Sequence, residues 1–354
     1  MSGGLRRLAR KARLAARRPV YRALDHLLTS DEGRRVLLDA VRGFGPAAPI
    51  ALPPHPYAPV GAGATAPPAP VFITARFRSG STLLWHLFRH VPGATAYYEP
   101  HNPRRWFDQA HLDRRIDPSH RGVHDYWREY AGLEALDQWF DARWATTRLA
   151  MDASAVDGDM RAYLDQLVAH ARGRAVLQCN HIDFRLPWVR RHYPDARIVH
   201  LYRHPRDQWL SCLADPAAVS RDLDIEGFRN LDFYYLLPWA RDLAAQFPCL
   251  DPRRTPHPYR LFYLLWRLSH AAGVQHADVS IAYESLVAEP VPTLRRVFGA
   301  IGWHDVDPAP LVGIVGPPTP SRWAAWAPAE WFDREEAACE AVLARDFAPP
   351  PARP

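Results

Sequence analysis

The stretch from Val71 to His90 constrains the fold more than any other part of the chain. The apolar run Val71-Phe72-Ile73 opens a buried strand expected over Val71–Ala75. Arg76-Phe77-Arg78-Ser79-Gly80-Ser81 follows as a turn of small and basic residues, and residues 82–90 read as a helix. Strand, small-residue turn and helix, in that order, is what a backbone cradle for a phosphate requires. The same alternation continues down the chain, with further strands expected at 95–98, 175–179, 197–202 and 279–283. Further helices are expected at 160–171, 187–192, 206–214, 260–272, 291–301 and 335–345. Short apolar strands separated by helices predict an α/β domain whose parallel sheet is covered by helices on both faces. Ligands of such sheets sit beyond the carboxyl ends of the strands, where residues 76–81 would lie.

The turn departs from the nucleotide-triphosphate pattern. G-x-x-x-x-G-K-[ST] would place glycine at Ala75 and lysine at Ser81, and Lys11 is the only lysine in the 354 residues. No lysine is available near the turn to grip a β- or γ-phosphate, and no convincing acidic Mg²⁺ site accompanies it, which disfavours kinase or NTPase chemistry. The turn can still hold a phosphate. Gly80 removes the Cβ that would block close approach, the N–H groups of Ser79 to Thr82 can point at an anion, and Ser81 and Thr82 add hydroxyl donors. Arg78 supplies fixed charge as a planar fork in place of the missing ammonium.

Charge and punctuation divide the chain. Residues 1–22 carry eight cations and no acid, so the formal charge of +6 leaves −2 for the remainder. The body is therefore no nucleic-acid binder. Residues 1–44 read as a basic helical arm, with helices at 4–22 and from Ser30 to about 41. Residues 45–70 hold nine prolines and three glycines and read as a linker, 71–346 as the folded domain, and 347–354 as a disordered tail. The arm has two readings, a solvated helix on the body, which is favoured, and attachment to an anionic membrane surface through residues 1–22. Four scattered cysteines give neither a disulfide framework nor a zinc site. No apolar run approaches the ~18 residues a membrane span needs. Together these predict a cytoplasmic protein, with membrane-surface contact as the alternative. Arginine in place of lysine, with abundant alanine and proline, points to a GC-rich bacterial genome.

A second constellation is Arg197-Ile198-Val199-His200-Leu201-Tyr202-Arg203-His204-Pro205, continuing to Ser211. A strand ends near Arg203, Pro205 opens a helix, and Ser211 lies about 9 Å further along it. Both side chains can converge on one phosphate.

Together the two stretches resemble the sulfotransferases that use 3′-phosphoadenosine-5′-phosphosulfate (PAPS). That family carries a 5′-phosphosulfate loop [KR]-x-G-[ST]-[ST], matched by Arg78-Ser79-Gly80-Ser81-Thr82. It also carries a 3′-phosphate motif R-x-P-x-x-x-x-x-S, matched by Arg203, Pro205 and Ser211, with His204 in place of a frequent aspartate. Tyr97-Tyr98-Glu99-Pro100 is similar to the "EP" strand end of carbohydrate sulfotransferases, and Tyr283-Glu284-Ser285-Leu286 to a "YE-x-L" strand. The resemblance runs from about residue 71 to 303.

It implies a P-loop-type fold, PAPS as co-substrate, no metal, and sulfuryl transfer to a hydroxyl. The acceptor is a small molecule, glycan or glycolipid, with carbohydrate or glycolipid favoured. Arg78, Ser81 and Thr82 would serve the 5′ end, Arg203 and Ser211 the 3′-phosphate, and Arg322 is a further 3′ ligand on a late loop. Glu99 is the leading general base, and His101 the runner-up. Alternation along an extended segment puts both on one side. The rival readings are a catalytically silent nucleotide- or glycan-binding relative and a P-loop kinase.

Overall fold

The computed structural model of the chain describes residues 68–318 and 320–347. The basic arm, the linker up to residue 67 and the tail from residue 348 lie outside the described residues. Five strands, β1 Val71–Ala75, β2 Ala94–Tyr98, β3 Arg174–Cys179, β4 Arg197–Tyr202 and β5 Val279–Ala282, form one sheet in the order β2-β3-β1-β4-β5. Every pairing is parallel. β1 is central, with Val71 opposite Val176 on one side and Arg197 on the other. All five of its residues are buried. That explains its unbroken apolar run, because a central parallel strand meets helices on both faces and has no face for water.

Among the described residues, the α-helices of six or more residues are α1 Ser81–Arg89, α2 Gly158–Ala169, α3 Leu186–His192, α4 Pro205–Cys212, α5 Leu236–Leu243, α6 Pro258–His276, α7 Tyr283–Ala288, α8 Pro290–Ala300 and α9 Ala329–Asp346. α1 buries Leu84, Trp85, Leu87 and Phe88 completely. The Trp85 indole N–H donates to the Ala96 carbonyl of β2 at 2.8 Å, and Phe88 meets Phe298 of α8 edge-on. These contacts fix the helix that follows the phosphate-type turn. A second core lies where α4, α5, α6 and α9 meet around Trp209, Trp239, Tyr259 and Phe332.

One expectation needs correction, and one helix was not expected. The segment expected to run as strand through 283 leaves the sheet after Ala282, and Tyr283 opens α7. Glu284 in its first turn accepts the His204 N–H at 3.0 Å, tying α7 to the end of β4. α5 had no sequence expectation. Tyr235 before it takes a left-handed backbone (φ 62°), and the Asp232 carboxylate caps it by accepting the N–H groups of Leu236 and Leu237 at 2.9 and 2.8 Å.

Candidate active site

All five strands deliver a side chain to one edge. β1 runs into the 76–80 turn, β2 into Glu99, β3 into Asn180, β4 into Arg203 and β5 into Tyr283. The five positions surround a cavity of about 830 Å³. The parallel topology makes this unavoidable, since all the carboxyl ends lie on the same side.

The turn is built around Gly80, at φ +93°. A Cβ there would lie 2.3 Å from a ring carbon of Tyr283, so both the backbone and the space require glycine. Ser79 folds the turn on itself, its N–H and hydroxyl both donating to the Arg76 carbonyl at 3.3 and 2.6 Å. It therefore faces away from the cavity, which Arg78, Gly80, Ser81 and Thr82 line. α1 has neither a side-chain cap nor an acidic residue in its first turn, so its leading N–H groups are available to an anion. Arg76 anchors the turn from below. Its guanidinium pairs with Asp183 at 3.0 Å, stacks over Trp239 at 4.4 Å, and shares Asp183 with the Ser269 hydroxyl at 2.5 Å.

The two sequence motifs meet at Arg78. Its Nε donates to the Ser211 hydroxyl at 3.1 Å, and its NH1 to Asp117 and Ser119 at 3.2 Å. Arg203 donates to the Arg78 carbonyl at 3.2 Å and lies over the Tyr283 ring at 4.8 Å, while its buried Nε has no partner among the described residues. An unpartnered buried guanidinium N–H beside an uncapped helix start is the polar inventory of an anion site. Arg322 also lines the cavity. Its N–H and the Ser321 hydroxyl both donate to Asp207 of α4, at 3.3 and 2.8 Å.

Glu99 and His101 do not share a side. Glu99 takes φ +40° and its carbonyl accepts the Asn102 N–H at 2.9 Å. The chain therefore turns at the end of β2 and does not stay extended. Glu99 lines the cavity, although it is only 6 % exposed. His101 is turned into the core between Trp144 and Tyr163, both ring nitrogens are without a partner among the described residues, and it does not line the cavity. Burial pushes its pKa down to about 3, so it is neutral. Burial raises the Glu99 pKa, offset in part by hydrogen bonds from Asn102, Tyr98 and Asn180. The Asn102 and Asn180 side-chain amides hold one carboxylate oxygen each, and Gln178 in turn holds Asn180 at 2.6 Å.

The sequence profile described as "Sulfotransferase family" matches residues 70–308. The chain belongs to the sulfotransferase family. No curated protein sequence matches this sulfotransferase, but solved structures do. The sulfotransferase domain of the Synechococcus PCC 7002 olefin synthase is 19% identical, covering 81% of this chain and 96% of that one, with a TM-score of 0.39. A sulfotransferase from Alicyclobacillus acidocaldarius is 18% identical over 78% of this chain and 96% of its own, with a TM-score of 0.37. Mouse sulfotransferase SULT7A1, complexed with PAP, is 11% identical over 79% and 84%, with a TM-score of 0.36.

Several residues of this sulfotransferase's cavity escape sequence reading. Asn180 follows the last residue of β3, where a strand end in a parallel sheet is itself a signal. Asn102, Asp117 and His120 come from irregular chain, where no periodicity marks them.

Proposed function

We propose that this sulfotransferase moves the sulfuryl group of PAPS to a hydroxyl of a carbohydrate or glycolipid acceptor, with Glu99 as general base. The observation that carries the reading is the meeting of the two phosphate-type motifs at Arg78, in the cavity that Glu99 also lines. The donor substrate suits these residues. The open α1 N-terminus and Gly80 leave room for its 5′-phosphate, and the unpartnered Arg203 Nε, with Ser211 and Arg322, suits its 3′-phosphate.

PAPS supplies an activated sulfuryl group whose departure leaves growing negative charge on the bridging 5′ oxygen. Arg78 and the N–H groups of Ser81 and Thr82 stabilise that charge where it develops. Glu99 takes the proton of the acceptor hydroxyl. Its raised pKa makes it a stronger base than a solvated carboxylate, and the Asn102 and Asn180 amides fix which lone pairs face the cavity. The rings of Trp106, Tyr126, Phe233 and Tyr235 line the same cavity. Trp106 and Tyr126 are buried, whereas Phe233 is 61% exposed, which gives a sugar or lipid an apolar surface to cover.

The test is to offer PAPS labelled at sulfur together with glycan, glycolipid, phenol and amine acceptors. Label transferred to a glycan or glycolipid, and lost in Glu99→Gln, is the expected result. Transfer to phenols or amines alone overturns the acceptor class. No transfer from a protein that binds PAP overturns the base assignment as well.

A further inference from the structure

One residue of the cavity wall has no task in this scheme. His120 lines the cavity, and its two nitrogens face two hydroxyls. Nε2 is 3.2 Å from Thr82 Oγ1 on the turn, and Nδ1 is 2.6 Å from the Tyr126 hydroxyl. The Tyr126 hydroxyl also accepts the Asp117 N–H at 3.1 Å, and Thr82 Oγ1 lies 3.0 Å from the Tyr98 hydroxyl. The groups form one hydrogen-bonded chain that ends on a residue of the phosphate-type turn.

The direction of that chain follows from counting protons. Burial keeps the imidazole neutral. Arg78 adds to this effect and Asp117 opposes it, and the pKa falls to about 4. The ring therefore carries a single proton, on one nitrogen or the other. Were it on Nδ1, that N–H would donate to Tyr126, and the phenol proton would have no acceptor among the described residues. Tyr126 is 2 % exposed, so this tautomer would leave a buried donor unmet. With the proton on Nε2, Tyr126 donates to Nδ1 and His120 donates to Thr82, and no proton of the chain is stranded. The Tyr98 hydroxyl gives its one proton to Glu99, so it meets Thr82 Oγ1 as an acceptor. With His120 on a lone pair, the Thr82 proton has two places to go, the Tyr98 oxygen and the turn, and a phosphate in the turn is the stronger acceptor.

We propose that His120 is a positioning residue of the donor site: through Nε2–H it holds the Thr82 hydroxyl so that the Thr82 proton faces the 5′-phosphate. This rests on the reading of the turn as the 5′-phosphate site. It assigns His120 a function, the orientation of a hydroxyl that would otherwise rotate between Tyr98, His120 and the ligand.

A double-mutant cycle on the full chain, read as PAP affinity by calorimetry, tests the inference. His120→Ala weakens PAP binding about tenfold, the loss expected for one hydrogen bond to a charged group. His120→Gln, whose amide N–H can still reach Thr82, stays within about threefold of the unmutated protein. In a Thr82→Val background, His120→Ala costs less than about twofold, because no hydroxyl remains to orient. Equal losses in the two backgrounds, or no loss in either, overturn the inference while the donor site stands. Failure of the unmutated protein to bind PAP removes the donor reading and this inference with it. Thermal melts of each variant separate loss of fold from loss of the contact, and the Gln variant preserves the test if the Ala variant unfolds.

Discussion

At Glu99 three demands coincide: a left-handed backbone at φ +40°, a nearly buried carboxylate, and amide donors on both oxygens. A non-glycine residue there is held against its preference, and the turn it makes separates it from His101. Glu99→Gln keeps the shape and removes the base. It should lower kcat/KM by ~10²–10³-fold while leaving PAP affinity within about twofold, as measured by steady-state kinetics beside calorimetry. The pH profile gives a second check. A base must be deprotonated, and burial raises the Glu99 pKa, so activity is lost as pH falls through a value above the ordinary carboxylate range. Asn180→Ala removes a donor that favours the charged form, so the pKa rises further and the acid limb of kcat/KM moves up. An acid limb that stays in place, or moves down, contradicts the base assignment.

The element that matters most is the β1–turn–α1 unit, and it was the most legible in the sequence. The strand was expected at the residues observed, and the helix within one residue at each end, because an unbroken apolar run and a helical apolar stripe each have one stable answer. Its anchorage was not legible. The pairing of Arg76 with Asp183 joins residues 107 apart, and no local pattern encodes such a contact. Asp183→Ala should destabilise the fold by roughly 3–5 kcal/mol, because it leaves the Arg76 charge buried and unpaired. The double change Arg76→Met with Asp183→Leu should cost much less. Denaturant unfolding compares them, and equal losses would show that the pair is not the anchor. Gly80→Ala places a Cβ against Tyr283 in a left-handed turn and should abolish PAP binding even where the fold survives. The elements that were missed have reasons of their own. α5 is announced only by an aspartate four residues ahead of it, and α7 begins inside a segment whose β-branched and aromatic residues suit a strand.

Over the whole molecule, parallel topology turns five separate sequence positions into one edge. The alternation of strands and helices sufficed to predict the sheet and the edge at which the cavity lies. It could not show which loop residues fold over that edge, and Asn102, Asp117 and His120 come from irregular chain. The charge division is visible only at this scale, with eight cations in residues 1–22 and a net −2 elsewhere. The arm lies outside the matched residues 70–308, and the catalytic account needs nothing from it. Deleting residues 1–44 should therefore leave PAP affinity within about twofold by calorimetry. A larger loss would bring the arm into the nucleotide site.

If the cavity is built for a nucleoside 3′,5′-bisphosphate, calorimetric titration with PAP, set against ADP and Mg-ATP, is the decisive experiment. The account predicts tight PAP binding, weak binding of the other two, and loss of the PAP preference in Arg203→Ala. Preference for Mg-ATP, or PAP affinity untouched by Arg203→Ala, would contradict it.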